Sequence, residues 1–486
     1  MQIKGRPPHT YLSVAGRGYK KQMATSIAHK LERKAFEVAI DAAVKYTGKQ
    51  RSKALLQLVD LTEKVLGDVW PPQAYDKLRE AFRDENSKWS RYMFRLLEHD
   101  PKLIKTALLN LGYEAGFRGY RTAMENAKKY DCNIPWIMLI DPTSACNLHC
   151  VGCWAAEYGN KLNLSFEDLD SIITQGKELG IHAYLLTGGE PLVRKDDVIR
   201  LCRKHSDCEF QAFTNGTLID DEFCRQILEV GNFIPLISLE GFEEANDARR
   251  GVGTFQRVMK AMDLLKAHKL FFGVSICYTS KNYMTVTSDE FLDMIIDRGA
   301  LYTWYFHYMP VGNAASAELL PTPEQREYLY HRIREIRGFT GGKPIFAIDF
   351  QNDAEFVTGC VAGGRCYCHI NAAGDMEPCA FVHYSCANIH DHTLLECLQQ
   401  PLFKAYRKCQ PFNKNMLQPC PMLENPEKLL SMVRETGAKS TDMESPEDCE
   451  KLCEKCGKYA EEWKPMADRL WQQSHEQQQK MPDKHK

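Results

Sequence analysis

Nowhere in its 486 residues does the sequence contain an apolar run near the roughly 18 positions that a membrane-spanning helix needs, so no transmembrane segment is expected. The opening stretch, MQIKGRPPHTYLSVAGRGYKK, lacks the apolar block of a secretory signal, and a reducing cytosol is the expected compartment. Charge of one sign is also missing. The formal net charge is only -2, which gives no global attraction to polyanions, and no nucleic-acid partner is expected. Cysteine, by contrast, is abundant: nineteen residues, an odd number. In a reducing compartment such thiols are expected to hold metal or to lie buried, not to pair as disulfides.

The protein is too long for one average domain, and its pattern changes along its length. Residues 1–130 read as a helical unit, because SIAHKLERKAFEVAIDAAVKY, SKALLQLVDLTEKVLG and YDKLREAFRDENSKWSRYMFRLLEH repeat apolar residues at helical spacing. Basic residues dominate its first part, among them Lys4, Arg6, Lys20, Lys21, Lys30, Arg33, Lys34, Arg51 and Lys53. They read either as a solvated helix face or as a patch for contact with anionic lipid headgroups or an acidic partner.

Residues 131–340 alternate strands with helices. PWIMLID, AYLLTG, EFQAFT, FIPLISLE, FFGVSICYT and LYTWYFHYMP read as strands, with amphipathic helices between them. Six repeats predict an α/β fold, a partial (β/α)6 TIM-like barrel whose functional groups gather at the C-terminal ends of the strands. Residues 341–465 read as a small cysteine-rich extension with a helical tail, and residues 466–486 as a disordered end.

One stretch lacks a partner it would be expected to have. DPTSACNLHCVGCWA places Cys146, Cys150 and Cys153 on the loop after the first strand, with no fourth thiol at similar spacing. A structural zinc site normally has four ligands. His149 is adjacent to Cys150, which makes tetrahedral ligation by both awkward. Three thiolates on a four-iron cluster leave one iron open, as a catalyst requires.

The spacing CxxxCxxC resembles the signature of the radical S-adenosylmethionine (radical SAM) enzymes. The resemblance implies that these three cysteines hold a 4Fe-4S cluster whose free iron chelates SAM. Reduction then cleaves SAM to methionine and a 5′-deoxyadenosyl radical that takes a hydrogen atom from substrate. An external electron donor such as a flavodoxin or ferredoxin is implied. The residue before the third cysteine is often aromatic in that family; here it is Gly152, followed by Trp154 two positions on.

Later strand ends fit the same resemblance. TGGEP, residues 187–191, is similar to the family's GGE motif: Gly188 and Gly189 admit a ligand close to backbone and Glu190 accepts from an ammonium group. Thr214, Asn215 and Gly216 resemble the TNG turn near substrate and cosubstrate, and equally suit a plain turn. Ser238 and, in the next loop, Arg250 are the candidates for contacts to SAM ribose and carboxylate, with Arg249 as a substitute for Arg250. Ser275 and Thr279 close the fifth strand, and Met309 and Val311 are candidate apolar contacts to adenine.

Beyond the barrel, Cys360, thirteen residues, Gly374, four residues, Cys379 resembles the opening half of a SPASM or twitch extension, which implies a second, auxiliary 4Fe-4S cluster. YCHINAAGDMEPC reads as a hairpin that brings flanking thiols together. Cys420 is the third candidate ligand; Cys386, Cys366, Cys368 and Cys409 remain unranked for the fourth. The family's CxxCxxxxxCxxxC continuation is missing, so one auxiliary cluster is expected. Cys449, Cys453 and Cys456 fall on one helical face and are attributed to packing.

The expected activity is radical SAM hydrogen abstraction from a peptide or protein side chain, or from a lipid tail. The alternative is a non-catalytic iron-sulfur electron carrier or zinc-binding protein.

Overall fold

The structure is a computed structural model that describes residues 29–38, 40–41, 51–66, 72–312, 315–338 and 342–480. Its centre is a nine-stranded sheet in the order β7-β6-β5-β4-β3-β2-β1-β8-β9. The strands are β1 (Ile137–Ile140), β2 (Ala183–Leu186), β3 (Glu209–Thr214), β4 (Phe233–Ser238), β5 (Gly273–Tyr278), β6 (Tyr302–His307), β7 (Phe346–Asp349), β8 (Tyr367–Ile370) and β9 (Met376–Glu377). Neighbours β1 to β7 pair in parallel, β8 adds in parallel to the other edge of β1, and β9 returns antiparallel on β8.

Helices Phe166–Leu179, Lys195–Lys204, Asp221–Val230, Thr254–Ala267, Asp289–Asp297 and Pro323–Arg337 run between successive strands. Local chemistry fixes their ends. Ser165 and Asp168 form a capping box at the first, and Gly180 ends it at φ 103°, a left-handed conformation that a side chain would strain. The strands are buried and apolar, as expected for a parallel sheet covered by helices.

The helical unit floors the barrel at the N-terminal ends of the strands. Arg95 donates to the carbonyls of Ile296, Ala300 and Pro344, Lys88 to those of Ile336 and Gly338, and Trp136 Nε1 to Ala115. The segment Leu108–Gly119 is a π-helix, and Gly119 lies so close to Gly180 that an added Cβ would fall 2.4 Å from its carbonyl oxygen. Of the basic residues, Lys4, Arg6, Lys20 and Lys21 lie outside the described residues. Arg33 pairs with buried Glu114 and Lys34 with Glu37.

Four expectations need correction. The barrel sheet gains β7, which the irregular sequence after residue 340 hid. The hairpin forms, but its first strand β8 also extends the barrel by pairing Tyr367 with Ile137, a long-range contact that local pattern does not reveal. Arg249 and Arg250 end a helix, Glu243–Arg250, not a loop. Residues 466–480, expected to be disordered, continue the helix Cys449–Lys480, which is anchored by fully buried Trp463 and by Leu470. Polar composition hid that anchoring, since the last turns are polar on every side.

Candidate functional site

A cavity of about 710 Å³ fills the barrel interior, and the loops after the strands supply its upper lining. Cys146, Cys150 and Cys153 come from the loop after β1, Gly188, Gly189 and Glu190 from the turn after β2, and Asn215 from the end of β3. Ser238, Glu240, Arg249, Arg250, Ser275 and Met309 also line it. The cysteines and nearly all the candidate SAM contacts are therefore at one cavity. Thr214, Gly216, Thr279 and Val311 are not in its lining; Thr214 is instead bonded to Glu190 and Thr279 to Asn282.

Backbone bonds lock the cysteine loop to its neighbours. Gly189 N–H donates to Thr143 O at 2.9 Å and Glu190 N–H to Ala145 O at 2.8 Å. A Cβ on Gly189 would sit 2.1 Å from Ala145 O, so only glycine allows the two loops to lie together. Asn215 Nδ2 donates to Asn147 Oδ1 at 2.8 Å, and Val151 N–H to Arg249 O at 2.9 Å. The triplet loop is thus held from the segments after β2, β3 and β4 at once.

Two carboxylates define the electrostatics. Buried Glu190 accepts from Leu192 N–H and the Thr214 hydroxyl on Oε1 and from Asn215 N–H on Oε2. Burial nevertheless pushes its carboxyl above the usual range. A cation at Oε2 would relieve that burial cost, which suits an ammonium ligand. Glu240 is the opposite case: burial raises it, but Arg249 and Arg250 together outweigh burial and hold it below the usual range. Both arginines face Cys150, whose thiol is raised by burial and lowered by their charge; burial pushes Cys146 up to about 11. Thiols set in such surroundings become thiolates when an electropositive metal centre enters. Among the described residues no three His, Cys, Asp or Glu side chains converge closely enough to hold a single metal ion.

The glycine before Cys153 has a structural reason. Gly152 sits at φ 66°, and a Cβ there would fall 2.8 Å from the Tyr308 ring. The room of the missing aromatic is taken by Tyr308, from the end of β6, which sequence spacing did not single out. Trp154 instead packs edge-on against His369, Phe381 and Tyr158.

Behind Trp154 lies a buried polar network that the sequence did not announce. His369 Nδ1 contacts Glu377 at 2.7 Å and its Nε2 lies 2.9 Å from Asp141. Burial lowers the ring's basicity, but Asp141 and Glu377 outweigh it and raise it to about 10, while burial raises Asp141 itself. Tyr158 and Asn371 donate to Glu377, Thr441 does so too, and His383 pairs with Asp442. The network joins the triplet loop to the hairpin and to residues 441–442.

At the second cysteine region, Cys360, Cys379 and Cys420 are mutual electrostatic neighbours around Tyr406. Tyr367 Oη donates to Cys379 Sγ at 2.6 Å and Leu423 N–H to Cys420 Sγ at 3.4 Å. Burial pushes Cys360 up to about 12 and Cys379 to about 11, and holds Cys420 well above its ordinary value. Donors aimed at sulfur match the hydrogen bonding that surrounds cluster thiolates. Of the four unranked thiols, Cys409 is exposed, Cys368 is buried beside Cys397, and Cys386 donates to Thr436 O. Cys366 has Arg365 as its charged neighbour. Cys449, by contrast, shares Tyr406 with the three, though it also lies 4.0 Å from Cys453 on the helix face expected to pack.

Comparison with known proteins agrees with these two regions. Residues 140–294 match the model of the Radical SAM superfamily, and residues 360–422 that of the SPASM iron-sulfur cluster-binding domain. The AdoMet-dependent heme synthase of Oleidesulfovibrio alaskensis is 28% identical over 57% of this chain and 78% of its own. Mycofactocin maturase MftC of Mycobacterium tuberculosis is 30% identical over 52% of this chain and 64% of its own. The fold is similar to that of Streptococcus suis SuiB bound to the precursor peptide SuiA, with a TM-score of 0.52 at 20% identity, covering 63% of this chain and 76% of that one.

Proposed function

Because this protein is an enzyme of the radical SAM superfamily and carries a SPASM extension, using a 4Fe-4S cluster, SAM and auxiliary iron-sulfur chemistry, we propose that Cys146, Cys150 and Cys153 hold the SAM-binding cluster. The observation that carries the assignment is that the three thiols and the Gly188–Glu190 turn are bonded into one wall of one cavity. When bound, the cluster supplies the electron that splits SAM into methionine and a 5′-deoxyadenosyl radical, which takes a hydrogen atom from substrate.

The protein's own residues do the rest. Glu190 holds the SAM amino group, positioned by Thr214 and Asn215. Arg250 offers its remaining N–H groups to the carboxylate while Glu240 fixes its orientation. Ser238 and Ser275, adjacent in register, are placed for the ribose. Cys360, Cys379 and Cys420 hold the auxiliary cluster, and an external one-electron carrier of the flavodoxin or ferredoxin kind supplies reducing equivalents.

Peptides and lipid tails are the two substrate classes at issue. Precursor-peptide binding by SuiB supports the first; the apolar character of the cavity supports the second. Among the described residues no helix is long and apolar enough to cross a membrane.

Anaerobic reconstitution followed by dithionite and SAM tests the reading: 5′-deoxyadenosine should form, and Cys146→Ala should abolish it while removing about four irons per protein molecule. Full iron and activity in that variant would refute the assignment, and no 5′-deoxyadenosine from iron-replete wild type would favour an electron carrier.

A further inference from the structure

This inference rests on the hydrogen-abstraction reading and names the substrate class. The sheet does not close into a full barrel: its order ends in β7 on one side and in β8 and β9 on the other, so a seam separates β7 from the β8–β9 edge. Both sides of the seam line the cavity that holds the triplet, with Phe346, Ile348 and Phe350 on the β7 side and Tyr367 of β8, backed by Ile137 and Leu139 of β1, on the other. They touch where the Phe350 ring meets Tyr367, 6.0 Å between centroids.

Away from the cysteine loop the same lining reaches the surface. Trp136, directly before β1, is 40% exposed, and Phe356 and Val357 beyond β7 are 64% and 44% exposed. The cavity therefore has a second mouth, collared by large apolar side chains. An exposed apolar collar continuous with an apolar cavity marks a ligand path.

Charge at this mouth is compensated. Arg337 is paired with Asp353 and bonded to Ala347 O, and its guanidinium lies 5.2 Å from the Phe356 ring. The mouth thus offers no uncompensated cation among its described lining residues for a carboxylate or phosphate, and suits the inert end of a molecule.

Between the mouths the lining is aromatic, with Phe213, Trp304, Phe306 and Phe350 linked by successive ring contacts. From the level of Phe346, opposite Tyr302, up to Met309 the backbone rises roughly 20 Å at ~3.3 Å per residue. A peptide would bury an amide donor and acceptor at every residue, and of these rings only Trp304, whose buried Nε1–H has no partner among the described residues, offers one donor against them. A linear alkyl tail asks for nothing but apolar contact and gains from every methylene buried.

We propose that the substrate is a linear alkyl tail, that of a lipid or a fatty acid, which lies along the barrel past the triplet site and passes its far end out through the seam. In the step invoked, one C–H bond of the tail breaks homolytically. The hydrogen atom goes to C5′ of the 5′-deoxyadenosyl radical and the unpaired electron stays on the tail carbon.

The test uses full-length reconstituted enzyme, dithionite and SAM, with perdeuterated palmitate in one arm and dipalmitoyl phosphatidylglycerol, perdeuterated in its acyl groups, in another, both in detergent micelles. Mass spectrometry of 5′-deoxyadenosine should show deuterium, and the arm that labels it tells free acid from phospholipid. No 5′-deoxyadenosine in any arm would overturn the chemistry itself. Unlabelled 5′-deoxyadenosine in both arms, or labelling only from a deuterated peptide or iron coproporphyrin, would overturn the alkyl substrate alone. For the seam, Ile348→Trp narrows it and Phe356→Asp places a carboxylate in its exposed collar, where folding is least at risk. Each should reduce labelling from a palmitoyl group by about tenfold more than from an octanoyl group, which is too short to reach the collar. Equal effects on both lengths, or none, would overturn the seam route.

Discussion

In the assignment proposed above, one side chain, Glu190, is structural and functional together. Its carboxylate collects three donors from the ends of two loops, yet burial keeps it raised, so it gains from a further cation. Glu190→Ala should retain iron and weaken SAM binding by about ten- to hundredfold, read by calorimetry on the reconstituted enzyme, since it removes a charged acceptor and strands buried donors. His369 makes a different prediction. Its value of about 10 lies above the ordinary 6.5, so the folded state holds the proton more tightly. Its stabilisation is complete below the ordinary value and is lost as pH rises from there to about 10. The urea midpoint should fall across that window, and His369→Gln should flatten the fall. The triplet and Glu190, now seen to line one cavity, were legible as candidates because their spacing is local. The contact of Tyr308 with Gly152 and the links of the His369 network to Asp141 and Tyr158 were invisible, because each joins residues more than a hundred positions apart in sequence.

Among the elements, the strands β1 to β6 and the helices between them were legible, since burial on both faces writes itself as short apolar runs. β7 and the pairing of β8 with β1 were not: a strand's neighbours are a property of topology, and four-residue strands carry little pattern. The helix Cys449–Lys480 was mistaken at its end for a related reason. Its anchoring lies before its polar turns, at Tyr459, Ala467, Leu470 and above all Trp463, which is buried, donates Nε1 to Leu417 O at 2.8 Å, and covers the guanidinium of Arg326 at 4.1 Å. Arg326 is itself buried and paired with Glu424 at 2.7 Å, next to Cys420. Trp463→Ala should cost about 3–5 kcal/mol by chemical denaturation. It should also loosen the loop carrying Cys420, so that iron is lost from the extension before the barrel.

Across the whole molecule the barrel and the extension are one machine. The hairpin strand β8 completes the sheet beside β1, and the His369 network ties the triplet loop to residues 441–442. Two clusters are therefore expected in one frame, of which one has an open iron. Low-temperature electron paramagnetic resonance of the dithionite-reduced enzyme, with and without SAM, tests this most directly. The account predicts two signals, of which one changes on adding SAM and disappears in Cys146→Ala, while the other ignores SAM and disappears in Cys360→Ala. A SAM-sensitive signal that survives Cys146→Ala, or reduced iron-replete enzyme in which SAM alters nothing, would contradict it.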